Sequence, residues 1–370
     1  MLNPQSAITS AIALLRDLIA IPSFSREEGA AAHRLAKYFQ HWGIPFECHG
    51  YNLWASTPNP GGRLPVLLLN SHLDTVRPVA GWTRDPFEAS VEGGRLYGLG
   101  SNDAGGPLVA LLAVFTEYYH RRNLPYQLIF AATAEEEISG QQGIASVLPL
   151  LPAIDLGIVG EPTRMQLAVA EKGLMVIDAE CRGRAGHAAR DEGKNALYLA
   201  LEDIQDLRQW PLPRLSPTLG PVRLTVTQFE AGQQHNVVPD RCRYVIDVRS
   251  NGAYSNRELF DLLQDKLSAK LQARSFRLNS SQIDPEHPIV QRATALGIPR
   301  FGSVTLSDQA LMDFPTVKIG PGDSARSHTA DEFIALREIE ASIPIYRQLL
   351  DQLSISQNAL NPTNSQSSWQ

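Results

Sequence analysis

Cysteine is scarce in this 370-residue sequence: only Cys48, Cys181 and Cys242 occur, an odd number with no paired short spacing. That usage argues for a reducing compartment and against thiolate zinc. A cationic excess is missing as well. Thirty-three basic side chains meet 39 acidic ones, a net charge of −6, so nothing is left over to neutralise a phosphate backbone or an anionic membrane surface. Nucleic acid is not an expected partner. Long apolar runs are also lacking, since none approaches the roughly 20 residues needed to span a bilayer. The apolar start, Met1 to Pro22, is broken by Arg16 and Asp17 and followed by no small-residue cleavage site. It reads as an amphipathic helix with Ile12, Leu15, Leu18 and Ile19 on one face, and the expected location is cytoplasmic.

What is present is ample apolar material, 43% of residues against 19% charged, in a chain too long for most single cores. Up to residue 173, continuous apolar runs at Pro65–Asn70, Leu128–Ala132 and Asp155–Val159 are separated by helical patterns such as Pro107–Tyr119. That alternation signals an α/β domain with a mostly buried sheet. From about Leu174 the strands become longer and partly alternating (Val176–Glu180, Val222–Val226, Tyr244–Val248), with helices at Asn195–Leu207 and Asn256–Leu271. After Pro285 a helix, a short strand at Thr316–Ile319 and a final helix at Glu332–Leu353 return to the first character. The order implies a domain of residues 1–173 and 285–354 interrupted by a smaller α+β domain of 174–284. Residues 355–370, rich in Asn, Gln and Ser, are expected to be a disordered tail.

Five segments place metal-type ligands just beyond expected strands. His72 and Asp74, two apart at a strand end, can act as an imidazole ligand and the carboxylate that orients it. Gly98-Leu-Gly-Ser-Asn-Asp103-Ala-Gly-Gly106 is a glycine-rich turn into a helix. Asp103 in its middle can bridge two cations, and no Lys-Ser/Thr follows the glycines as a phosphate loop would require. Glu135-Glu136-Glu137 follows an apolar strand; three adjacent acids usually mark a solvated face, but at the end of a buried strand they need cations to offset the charge. One such acid can bind metal while the next takes a proton from water. Glu161, after Val159-Gly160, and His328, closing the loop that starts at Gly320, complete the set; alone they would be a turn acid and a surface histidine. Together these residues form a mixed nitrogen and oxygen donor set suited to two zinc or similar ions.

With these motifs in this order, the chain from about Leu18 to Leu353 resembles the dinuclear zinc deacylases and peptidases. That family includes acetylornithine deacetylase, succinyl-diaminopimelate desuccinylase, aminoacylase and the glutamate-releasing carboxypeptidases. The resemblance implies a zinc-peptidase-like catalytic domain, its mixed sheet flanked by helices, with an inserted lid and dimerisation domain and hence a homodimer. It implies two Zn2+, with Co2+ or Mn2+ as substitutes. His72 and Glu161 would hold one ion, Glu137 and His328 the other, and Asp103 would bridge them. Glu136 would be the general base, although aligning on Gly140 sets Glu135 where relatives carry Asp, and a shift of one residue would exchange base and ligand. Asp74 would support His72. His187, in Gly183-Arg-Ala-Gly-His187-Ala, would reach a partner subunit's site and support the oxyanion. Asn236 and Arg249 would bind substrate, and Arg326 either reads an acidic acyl group or faces solvent. Two departures stand out: Leu99 replaces the arginine of the family's Gly-Arg-Gly, and Ala104-Gly105 replaces its Met-Lys. The implied activity is hydrolysis of an N-acyl amino acid of the N-acetyl- or N-succinyl-ornithine or citrulline type in arginine biosynthesis, with a dipeptidase, a carboxypeptidase or a lysine-pathway deacylase as alternatives.

Overall fold

The computed structural model describes residues 4–355 apart from Pro60, Gly61, Arg63, Arg122 and Asp191. The polar tail from residue 356 lies outside the described residues. Two compact units divide the chain: Met1–Ala168 with Ile283–Arg300 and Ser307–Gln370, and Val169–Gln282 with Phe301–Leu306.

The first unit is built on a mixed sheet. Its strands run, side by side, Glu47–His49, Asn52–Ser56, Gln127–Thr133, Val66–His72, Leu156–Val159 and Thr316–Lys318, ending on the strand that begins at Leu167. The four strands from Gln127–Thr133 to Thr316–Lys318 are mutually parallel. Every residue of Val66–His72 is buried, as a continuous apolar run in a parallel sheet requires. Against the sheet lies the helix Gly106–Tyr119, apolar nearly all round and therefore buried nearly all round, with the helices Pro4–Ile19 and Leu336–Leu350 packed on it. A buried cluster forms where Trp54, Val66, Leu68, Ile129 and Val159 of these strands meet Ile144 and Val147 of the short helix Ile144–Val147.

In the second unit Arg223–Ala231, Arg241–Arg249, Met175–Arg182 and Lys270–Ala273 form an antiparallel sheet in that order. Strict alternation in Met175–Arg182 turns Met175, Ile177, Ala179 and Cys181 inward, and with Ala196, Ala200, Leu259 and Leu263 they make this unit's core. Cys181 and Cys242, far apart in sequence, are direct cross-strand partners and both free thiols.

Three expected elements shift. The helix expected over Asn256–Leu271 stops at Lys266, because the Asp203 carboxylate accepts the Ser268 and Ala269 N–H groups and turns the chain into the strand Lys270–Ala273. The last helix begins at Leu336 rather than Glu332. Phe333–Ala335 pairs with Arg95–Tyr97 first, and the Glu338 side chain then accepts the Ala335 N–H at 2.8 Å. On the first helix the fully buried stripe is Ala7, Ala11, Leu14, Leu15 and Ile19, with Ile12 and Leu18 only half-buried.

Candidate metal centre

Because the four parallel strands end on one edge, the side chains just past their ends converge there, as is usual for open α/β sheets. His72 is the last residue of its strand and is buried. Its Nδ1 lies 2.9 Å from the Asp74 backbone oxygen, and with the ring N–H donated there, Nε2 points its lone pair into the site. The Asp74 carboxylate is 3.5 Å from the same nitrogen. Asp74 also does something its spacing did not reveal: Oδ1 accepts the Glu136 N–H at 3.0 Å, and Oδ2 accepts the Glu137 N–H at 3.1 Å and the Ser25 hydroxyl at 2.7 Å. It ties the acidic run to the histidine strand.

Asp103 sits in the irregular turn Ser101–Gly105 that leads into the central helix. Gly100 there has a φ of 73°, and a Cβ on Gly105 would stand 2.4 Å from the Gly100 oxygen and 2.6 Å from Leu15 Cδ1. A side chain at 105 does not fit this turn without a shift of its backbone, so glycine matches the local structure. The two Asp103 oxygens face opposite ways, Oδ1 at 3.3 Å from His72 Nε2 and Oδ2 at 3.8 Å from His328 Nε2. Among the three adjacent glutamates, Glu137 Oε2 lies 2.9 Å from His328 Nε2, while Glu136 Oε2 lies 3.9 Å from His72 Nε2. Glu135 turns away: its oxygen accepts the Gln142 N–H, and its own N–H donates to Glu28 Oε1 at 3.0 Å. Glu161 Oε1 approaches His72 Nε2 to 3.8 Å.

Two groups of donor atoms thus cluster within 4.8 Å, His72 with Asp103 and Glu137, and His72 with Glu136 and Glu161. The electrostatics reflect the crowding. Burial weakens the His72 base, but bonds to Asp103 and Asp74 and the charges of Glu136 and Glu161 outweigh it and raise its pKa well above the ordinary value. Burial opposes ionisation of Asp103, yet His72, Ser327 and His328 hold its carboxyl below the usual range. Desolvation raises Glu136 well above that range, and desolvation together with Asp103 pushes Glu161 up to about 8. His328, bonded to Glu137, is pushed up to about 9. Glu161 Oε1 is buried with no hydrogen-bond partner, a costly arrangement that a bound cation would relieve. Two imidazole nitrogens among clustered carboxylate oxygens, one of them orphaned, fit a pair of divalent ions.

The other sequence-derived candidates have partners of their own. His187 is in the second unit, its Nδ1 accepting the Ala189 N–H at 3.1 Å, and the Ala188 N–H donates to the Asn236 oxygen at 2.9 Å, so His187 and Asn236 are neighbours. The Arg249 guanidinium already grips Asp247 with two bonds of 2.8 and 3.1 Å. Arg326 does the same to Glu338, at 2.7 and 3.1 Å, and stacks over Phe333.

Two buried acids escaped sequence reading. Asp308 accepts the Thr133 hydroxyl at 2.8 Å, and burial pushes its carboxyl up to about 7. Glu332, pushed up to about 8 chiefly by burial, accepts backbone N–H groups of the Asp103 turn. Asp308 is a lone acid and Glu332 follows Asp331 in a loop, so neither stands out locally; the available signal was the four-residue spacing of Glu332 from His328.

Known proteins resemble this chain in sequence and fold. The pattern of peptidase family M20/M25/M40 matches residues 68–352. An acetylornithine deacetylase of Klebsiella pneumoniae (strain 342) is 30% identical over 92% of this chain and 96% of its own length. Among solved structures, a tripeptidase from Staphylococcus aureus subsp. aureus Mu50 superposes with a TM-score of 0.76 at 21% identity, covering 95% of this chain and 99% of that one. A dinuclear metal binding peptidase from Bacillus subtilis gives 0.69 at 16% identity, over 94% and 98%.

Proposed function

The chain belongs to peptidase family M20/M25/M40, and on that premise we propose that it is a zinc-dependent amidohydrolase acting on N-acyl amino acids. Its substrate would be an N-acetyl or N-succinyl amino acid of the ornithine or citrulline type, in arginine biosynthesis. The observation that carries the reading is Glu136: a half-buried carboxylate with a strongly raised pKa, beside His72 and Glu161 but next in sequence to the residue that meets His328. The 30% identity to an acetylornithine deacetylase supports an N-acyl amino acid over a peptide.

His72, Glu161 and Asp103 would hold one ion, and Asp103, Glu137 and His328 the other. Two such ions supply Lewis acidity, which polarises an amide carbonyl and makes water a competent nucleophile near neutral pH. Glu136 takes the proton from the attacking water and returns it to the amide nitrogen as the C–N bond breaks, releasing a carboxylate and a free amine. A glutamate whose pKa burial has raised well above the ordinary value is suited to both transfers. Asp74 fixes His72 and the backbone of Glu136 and Glu137 at once.

The second unit would serve as lid and dimerisation domain. With His187 Nδ1 accepting from Ala189, Nε2–H is left to donate to a developing oxyanion in the partner's site. Asn236 beside it would contact substrate. Arg249 and Arg326 would read a substrate carboxylate by exchanging Asp247 and Glu338 for it. The scarcity of cysteine supports a cytoplasmic setting.

The test is amine release from N-acetyl and N-succinyl ornithine, citrulline, lysine and diaminopimelate, with dipeptides alongside, by zinc-loaded protein. Rapid cleavage within the acylated ornithine and citrulline set is expected. A flat acylated panel with fast dipeptide cleavage would overturn the reading in favour of a peptidase. Glu136→Gln should abolish turnover while the protein still takes up two zinc ions; near-normal rates in that variant would remove Glu136 as the base.

A further inference from the structure

Asp103 and His328 come from loops far apart in sequence, and a buried side chain binds the first loop from the end of the second. Glu332 is 2% exposed. Its Oε2 accepts the Gly100 N–H at 3.0 Å, and its Oε1 accepts the Asn102 and Asp103 N–H groups at 2.8 and 3.0 Å. Its own backbone oxygen accepts the Gly98 N–H at 3.0 Å. The Gly98–Asp103 turn is therefore wrapped around one carboxylate, in the manner of a backbone nest around an anion. Glu332 follows His328 closely and leads into the strand Phe333–Ala335, so the same residue anchors both loops. Asn102 adds a second tie, its side chain donating to the Asp323 oxygen at 3.1 Å and accepting the Asp323 N–H at 2.9 Å.

His72 and Glu161 depend on neither tie. They stand on or just past adjacent parallel strands, joined there by Gly160 N–H to the Asn70 oxygen at 2.7 Å and the Ser71 hydroxyl to the Gly160 oxygen at 2.9 Å. We propose that Glu332 is a positioning residue that sets the separation of Asp103 from His328 and thereby controls occupancy of the second cation position, that of Asp103, Glu137 and His328, more than the first. The inference rests on the two-ion reading above.

The experiment titrates metal-stripped, full-length wild type and Glu332→Ala with Zn2+ and follows the stepwise affinities. Backbone amide exchange at Gly100, Asn102 and Asp103 is measured on the same samples. In the variant the second ion should bind about 10–100-fold more weakly, the usual scale for losing a group that orients a ligand, with the first affected several-fold less. The three amides should exchange faster. Glu332→Gln keeps one acceptor oxygen and should fall between the two; it also carries the test if the alanine variant does not fold. Equal weakening of both ions, or unchanged stepwise affinities in whichever variant folds, overturns the proposal. Wild type that takes up fewer than two ions would instead overturn the two-ion reading.

Discussion

Asp74 does more than orient His72, because one carboxylate serves the His72 ring, the Glu136 and Glu137 amides and the Ser25 hydroxyl. Asp74→Ala should weaken zinc binding about 10–100-fold and lower kcat as well, measured by competition with a chromophoric chelator and by steady-state assay. Unchanged affinity would mean that the acidic run is held by other contacts. The five ligand candidates were legible because metal-binding side chains at strand ends, one after another, are a pattern along the sequence. The supporting residues were not. Asp308 meets Thr133, Glu332 meets the Asp103 turn and Glu28 meets Glu135 only across the folded sheet. Arg249 and Arg326 show the opposite difficulty, since their residue type suggested a substrate carboxylate and the fold supplies each with a protein carboxylate.

The element on which the site leans most is the helix Gly106–Tyr119. Leu111 on it is fully buried and packs against Gly160, where an added Cβ would stand 2.6 Å from Leu111 Cδ1. Leu111→Ala should reduce unfolding free energy by about 2–5 kcal/mol, read from the denaturation midpoint at unchanged slope; a loss below 1 kcal/mol would indicate that neighbouring side chains close the gap. This helix and the parallel strands were readable from continuous apolar runs, which fully buried elements must have. Boundaries set by a single distant side chain were not. Nothing near Lys266 foretells that Asp203 will capture the next turn, and nothing in Glu332–Ala335 announces a strand, because its partner Arg95–Tyr97 is supplied by the fold.

For the molecule as a whole, the buried acids set a pH dependence. Glu161 and Glu332 hold protons up to about 8 in the folded chain against 4.5 ordinarily, Asp308 up to about 7 against 3.8, and His328 up to about 9 against 6.5. The folded state therefore binds more protons than the unfolded one between these values. Its advantage is complete at the acid end and is lost as pH rises through 7 to 9. The carboxyls with lowered pKa, such as Asp74 and Asp103, are ionised in both states over that window and add no slope. Metal-stripped protein should thus show a falling Tm from pH 6 to 9, and added zinc, which displaces the protons of Glu161 and His328, should raise Tm more at pH 8 than at pH 6. A rising or flat Tm for the stripped protein would contradict this account. The division into two units has its own counterpart in sequence, the change from continuous to alternating strands near Leu174. The assignment of Phe301–Leu306 to the second unit has no such mark. The sheet order carries one more consequence. Thr316–Lys318 lies between Leu156–Val159 and the strand that starts at Leu167, two neighbours in sequence held apart by a latecomer. As the chain leaves the ribosome, that slot stays open until the whole second unit has been made. While the residues between Glu161 and Thr316 are being added, the nascent protein would carry an unpaired inner strand edge and four of the five candidate ligand segments, and its site would be complete only once His328 follows.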